Sequence, residues 1–329
     1  MMNARYISPV SSRGFTLVEL LLVIFLLGSL ALVATVFVDG VNEQSRFDET
    51  RARLEQIRRA IVGDTSRTLN GEPEIRGFVA DMGRLPKCLR ELTEGKCDDT
   101  DPDPALWDFG EISISGVSGV VAVGELYGGW RGPYLDTLPE SGSGNRLLRD
   151  GWANVDETDD ARNFGWQYSD LSGVAVMVQS LGSDSAVGQA DAENPYQKDF
   201  PADGKNLVEE TDWRLNLKDK ALRVRIAGSA AADIANLRLQ VYSMKDGAVS
   251  APLTSDEFGT LSGVSAQFSD AVFSADAELP FGMHAALVTC ADGSVFDGSC
   301  PGASPPLLSP YYFVFLPRAQ LPTIQWNIQ

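Results

Sequence analysis

Glu19 is the single charged residue between Phe15 and Val38. A carboxylate set in an apolar run is costly to desolvate unless it is paired, and the alternative is a side chain that snorkels to the headgroups from the helix end. A second set of oxygen-bearing residues stands at Asp184, Asp191, Glu193 and Asp199, among Gly182, Gly188 and Asn194. Calcium takes about six to eight oxygens, from carboxylates and from carbonyls that a glycine-rich loop turns inward. The stretch therefore reads as either a calcium loop or a solvated acidic one. The four cysteines fall in two close pairs, Cys88 with Cys97 and Cys290 with Cys300. Two local disulfides are the economical pairing outside a reducing compartment, although four cysteines allow three connectivities. A zinc site is the rival. It lacks a Cys-x-x-Cys pair, and the one histidine, His284, lies in a strand-like segment and reads as an ordinary strand residue. No Gly-x-Ser-x-Gly, phosphate loop or metal-hydrolase motif occurs, so the residues supply no enzyme mechanism and the chain reads as a non-enzyme.

The element that must position Glu19 is the run from Phe15 to Val38, which contains no proline. About twenty apolar residues at roughly 1.5 Å each span a hydrocarbon core of about 30 Å, so the run predicts a transmembrane helix. Residues 1–14 carry Arg5 and Arg13 and no acid. They lack an apolar core of their own, so they are not an ordinary secretory signal, and their charge biases the N terminus to the cytoplasm. Beyond the run, Phe47, Thr50, Leu54, Ile57 and Ile61 recur every three or four residues, the mark of one helical face. Asp39-Gly40 is a candidate joint, and Asn70-Gly71-Glu72-Pro73 is a stop, which predicts a helix to about Leu69. The formal net charge is −18 over 329 residues. Without Arg5 and Arg13 it becomes 25 − 45 = −20. Such a surface argues against nucleic acid as a partner and against adsorption to anionic lipid, both of which need clustered Lys and Arg.

Gly14-Phe15-Thr16-Leu17-Val18-Glu19, after a short basic leader and before a long apolar run, resembles the N-terminal signal of type IV pilins and type II secretion pseudopilins. The resemblance implies cleavage between Gly14 and Phe15 by a prepilin peptidase and N-methylation of Phe15. It also implies a role for Glu19 in assembly, its carboxylate meeting the N-terminal amine of a neighbouring subunit. Many members of the family carry proline at the position of Val36, where the helix kinks or melts. This chain does not, which leaves Gly28 or Gly40 for any local melting. Gly83-Arg84-Leu85-Pro86 is similar to a segment of the major pseudopilin. So is the series Trp130-Arg131-Gly132-Pro133-Tyr134, Asp150-Gly151-Trp152-Ala153-Asn154, Trp166-Gln167-Tyr168 and Ser180-Leu181-Gly182-Ser183-Asp184. The aromatic residues of that series read as core and loop packing. By the same resemblance Asp184 and Asp199 stand at calcium ligands of the family, with a main-chain oxygen taken here as that of Leu181; Asp191 joins the set from its place in the acidic loop, in a stretch too irregular to align.

From Trp213 onward the pattern changes to short alternating runs such as Leu222-Arg223-Val224-Arg225-Ile226, separated by Gly, Asp, Ser and Pro. These predict an all-β sandwich, weakly similar to immunoglobulin-like or transthyretin-like modules. The expected fold class is α+β: a long N-terminal transmembrane helical spine, a pseudopilin-like α/β head and a C-terminal β-sandwich. The expected divisions are residues 1–14 (leader), 15–69 (spine), 70–212 (head) and 213–329 (sandwich). The expected function is a structural subunit of a type II secretion pseudopilus or type IV pilus-like filament. The alternative is a minor tip pilin, acting as an adhesin or substrate-binding module through the C-terminal region. The resemblance further implies a single-pass inner-membrane protein whose C-terminal domains are periplasmic, later drawn into a filament. Its partners would be the prepilin peptidase, other pilin or pseudopilin subunits, a membrane assembly platform with its ATPase, and a secretin with secreted substrates.

Overall fold

The structure is a computed structural model. It describes residues 16–64, 66–69, 72–116, 119–139, 146–156, 158–188, 192–202, 205–230, 234–261, 266–303, 306, 308–316 and 319–328. Within helix and strand, the side chains of 31–39, 69, 72–73, 115–116, 119, 138, 146 and 260–261 are not among them.

Helix α1 runs Leu17–Val62, 46 residues and about 70 Å, unbroken through Gly28 and Gly40. Thr16 caps it, its Oγ1 accepting the Glu19 amide hydrogen bond at 3.2 Å. The helix stops at Gly63, seven residues short of the expected Leu69 limit counted from Val62, and Thr68–Leu69 is a short strand instead. The reason is local. Gly63 takes φ 79°, its N–H caps the Arg59 carbonyl, and a Cβ there would lie 1.9 Å from the Arg76 oxygen. Returning chain occupies the space a continued helix would need. Thr50, Leu54, Ile57 and Ile61 are buried and Phe47 is half-buried, as the periodicity predicts. Leu17–Leu30 is exposed and, apart from Glu19 and Ser29, apolar. Among the described residues no helix is long and apolar enough to cross a membrane. The stretch with described side chains ends at Leu30, short of the about twenty residues a bilayer requires.

Helix α2 (Phe78–Met82) packs against α1, followed by a hairpin of β1 (Asp108–Gly116) and β2 (Gly119–Gly128) and a smaller one of β3 (Gln167–Ser169) and β4 (Met177–Gln179). The C-terminal region is β-rich. Strand β5 (Arg214–Asn216) precedes β6 (Ala221–Ala227), β7 (Ile234–Lys245), β8 (Ala248–Val249), β9 (Leu253–Thr254) and β10 (Phe258–Leu261). Then follow β11 (Gln267–Val272), β12 (Glu278–Pro280), β13 (Gly282–Thr289), β14 (Tyr311–Phe315) and β15 (Ile324–Asn327). One sheet has the order β11-β6-β15, with β6 and β15 parallel. The other is centred on β7 and runs β8-β7-β13-β14, with β9 and β10 also on β7. Both sheets feed one core through Leu222, Val224 and Ile226 on one side and Leu239, Val241 and Leu287 on the other. Almost every residue of β13 is buried, because the sheet is covered on both faces.

Core membership does not follow a division at residue 213. Ile112, Ile114 and Leu126, from the hairpin of the first region, lie in the C-terminal core. Conversely, Trp213 and Phe281 lie in the first core with Ile57, Phe78 and Trp166. The contact is tight at two glycines. A Cβ at Gly83 would sit 2.1 Å from the Met244 oxygen, and one at Gly110 would sit 2.7 Å from Val249. Disulfides join Cys88 to Cys97 and Cys290 to Cys300, the economical pairing among the three connectivities. His284 is a buried residue of β13: its Nδ1 lies 2.9 Å from Ser243 Oγ and its Nε2 2.9 Å from the Pro280 carbonyl oxygen.

Candidate functional site

Gly14 and Phe15 lie outside the described residues. Glu19 stands in the first turn of α1, exposed, where the free amides of a helix start favour a negative charge. The order Thr16-x-x-Glu19 is a helix-start signal that sequence reasoning passed over in favour of the cleavage motif.

The other half of α1 is seated on the head by hydrogen bonds as well as apolar contact. Thr50 is the one polar residue of the buried stripe. Its hydroxyl donates to the Arg46 carbonyl at 2.9 Å and accepts from Gly151 N at 2.9 Å. Arg53 donates to the carbonyls of Arg149 and Asp150. Gly151 has no room for a side chain, since a Cβ would meet the Arg46 oxygen at 2.0 Å. The loop carrying Gly151 is held from behind by the buried Asp150 carboxylate. That group accepts from Asn154 N at 2.9 Å, from Asn154 Nδ2 at 2.7 Å and from Ser180 Oγ. Arg58 and Asp212 add an ion pair at 3.1 Å.

The Ser180–Asp199 loop closes on the same stretch of helix. Phe47 meets the rings of Trp152, Tyr196 and Phe200, with centroids 6.4, 6.2 and 4.8 Å apart, and Tyr196 donates to Gln44 at 2.9 Å. Leu181 is buried at the start of a 3₁₀ turn, Gly182–Asp184. Asp199 is buried and its Oδ2 accepts from Gly188 N at 2.8 Å. Asp184 is exposed, and its Oδ1 accepts from Ala186 N at 3.1 Å. Asp191 lies outside the described residues. Among the described residues no group of three or more His, Cys, Asp or Glu is placed to hold a metal ion. Asp199 and the carbonyls of the 3₁₀ turn are donors of the type calcium takes, and Asp184 stands at the same loop's rim.

A polar cluster is built on the buried Asp81 of α2, with Tyr134 half-buried and Arg131 exposed. Arg131 spans Asp81 with bonds of 2.9 and 3.2 Å, and Tyr134 donates to the same carboxylate at 2.9 Å. Burial pushes the Asp81 carboxyl up to about 6, against the pull of Arg131, and pushes the Tyr134 phenol up as well, helped by the Asp81 charge. Sequence reasoning read Tyr134 as core and loop packing and quoted Arg131 only as part of a motif; it joined neither to Asp81, which comes from a different element. At His284, burial lowers the imidazole to about 4 from 6.5. These two groups act in opposite directions on stability. The unfolded His284 takes its proton first, so stability falls as pH drops from about 6.5 to about 4. The folded Asp81 keeps its proton longer, so stability falls as pH rises from about 4 to about 6. Each is worth up to about 3 kcal/mol, and between pH 7 and pH 4.5 they largely offset. Asp81→Asn removes one side. Urea unfolding should then show this variant losing about 2 kcal/mol more than the native chain between those pH values. Parallel pH dependences would contradict the assignment.

Neither a curated protein nor a solved structure matches the chain. Residues 10–35 match the family model described as the prokaryotic N-terminal methylation motif. With a helix that starts at Leu17 and is apolar and exposed over its first turns, that match supports a type IV pilin-like or pseudopilin-like protein processed at its N terminus.

Proposed function

We propose that the chain is a structural subunit of a type II secretion pseudopilus or type IV pilus-like filament. The observation that carries this reading is the methylation motif at residues 10–35, continued by one unbroken helix. The prepilin peptidase cuts between Gly14 and Phe15 and Phe15 is N-methylated. Glu19 then pairs with the new amine of a neighbouring subunit, which offsets the desolvation of its carboxylate. Before assembly the apolar run holds the protein in the inner membrane, with the head and β-sandwich region on the periplasmic side. An assembly platform and its ATPase draw it into the filament, and a secretin receives the growing end. The work is packing: apolar helices bundle inside while the heads face outward.

Gly14→Ala tests the leader directly. Mass spectrometry of protein from cells should find N-methylated Phe15 at the start of the native chain and intact leader on the variant. Equal processing of the two would refute the reading.

The alternative place in the filament is its tip, where a subunit with a large additional β-rich region acts as an adhesin or substrate-binding module. The size of that region favours it. Copy number decides: hundreds of copies per filament suit the shaft and a few suit the tip.

Calcium is proposed for the Ser180–Asp199 loop, with Asp184, Asp191, Asp199 and the Leu181 carbonyl as donors. Because the loop closes on Phe47 and Gln44 of α1, the ion would stiffen the seat of the spine. Calcium at about a hundred times its dissociation constant stabilises the folded state by about 2.7 kcal/mol. The melting temperature of the detergent-solubilised chain should therefore rise by several degrees in calcium and return in chelator. An unchanged melting curve removes the metal.

A further inference from the structure

The outer face of the β1–β2 hairpin carries groups that the fold itself does not use. Its inner face is buried through Ile112, Ile114 and Leu126. On the outer face Phe109 stands opposite Tyr127, and Glu111 stands opposite Glu125. The two rings are 47% and 46% exposed, with centroids 6.3 Å apart. Glu111 and Glu125 are exposed, and neither forms an ion pair among the described residues. Like charges directly opposite on an antiparallel pair are destabilising. A cationic partner laid across this face would remove that repulsion and cover the rings.

The same chain carries the complementary surface elsewhere. A cleft of about 370 Å³ lies between the segment after α2, the turn at Ser172–Gly173 and the end of β7. Of its four cations, Arg84 is held by Glu91 and Asp246, and Arg214 by Glu210 and Glu278. Lys87 and Lys245 remain, both exposed and without an ion pair among the described residues. The Asp170 carboxylate, also on the lining, accepts from Ser172 N at 3.3 Å. Leu253 and Pro280, both half-buried, supply apolar wall. With a net charge of −18, two copies repel at long range, so a contact between them needs a local inversion of sign of this kind.

We propose that the hairpin face of one copy docks at the lysine-rimmed cleft of a second, Glu111 and Glu125 meeting Lys87 and Lys245, with the aromatic pair against the apolar wall. The two surfaces share no residue, so the contact is head-to-tail and propagates unless it closes into a ring. It goes beyond the leader and the spine and does not require processing at Gly14.

The test is self-association of the full chain in detergent micelles, followed by sedimentation velocity. Association through α1 is common to every variant, so the differences report the heads. Glu111→Lys with Glu125→Lys should weaken association by about tenfold, and Lys87→Glu with Lys245→Glu should do the same. The chain carrying all four changes should regain association, while thermal unfolding of each variant shows the fold intact. A hairpin reversal that leaves association unchanged overturns the proposal. So does a four-fold variant no better than either double, which would mean that the hairpin serves a different basic partner.

Discussion

A chain ending after Asp212 is expected not to fold, although the cut falls where the sequence changes from head-like to strand-like. Removing the following residues strips the partners from Ile112, Ile114 and Leu126, each 6% exposed or less. It also takes Trp213 and Phe281 out of the first core, where they pack with Ile57, Phe78 and Trp166. Exposing three large aliphatic side chains costs about 1.5 to 3 kcal/mol each, and losing one buried Phe costs about 3 to 5 kcal/mol. The total, about 7.5 to 14 kcal/mol, matches the whole stability of an ordinary domain. The truncated chain should lack a cooperative thermal transition and be cut rapidly by protease at the β1–β2 hairpin. A sharp transition with native near-ultraviolet dichroism would show that the head stands alone. The functional consequence is that the β-rich region is not a detachable attachment. Any load imposed on it is passed to α1 through Trp213 and Phe281, which pack in the same core as Ile57.

Gly151→Val should detach the spine from its seat without touching either end of the helix. A Cβ at Gly151 meets the Arg46 main-chain oxygen at 2.0 Å, and backbone cannot step aside as the end of a side chain can. Either α1 moves out or the Asp150–Asn154 loop moves back. Moving back breaks the Thr50 bond to Gly151 N and disturbs the bonds that hold Asp150. Overpacking of this kind costs about 1 to 3 kcal/mol, and each lost hydrogen bond about 1 kcal/mol more. Urea unfolding should show a loss of about 3 kcal/mol. Amide exchange should show faster opening of the helix around Arg46–Arg53. Thr50→Ala, which removes the hydrogen bond without the clash, should cost only about 1 kcal/mol. Equal effects of the two variants would place the tightness elsewhere.

The sequence by itself determined the elements whose cause is local. The order Gly14-Phe15-Thr16-Leu17-Val18-Glu19 before an apolar run is written in consecutive residues, and so is the helical stripe Phe47, Thr50, Leu54, Ile57 and Ile61, which buries as its spacing requires. The cysteine pairs are close enough in the chain that local closure is the economical outcome, and local closure is what forms. Only the tertiary structure decided where α1 stops, because the Arg76 carbonyl of a later segment packs where a Cβ at position 63 would lie. It also decided that Arg131 and Tyr134 close on the buried Asp81 carboxylate, and that the β1–β2 hairpin belongs to the C-terminal core. Alternation along a strand says that one face is buried but not against what. The partner of that face is chosen by contacts between residues more than a hundred positions apart, such as Gly110 with Val249, and no window along the chain contains both.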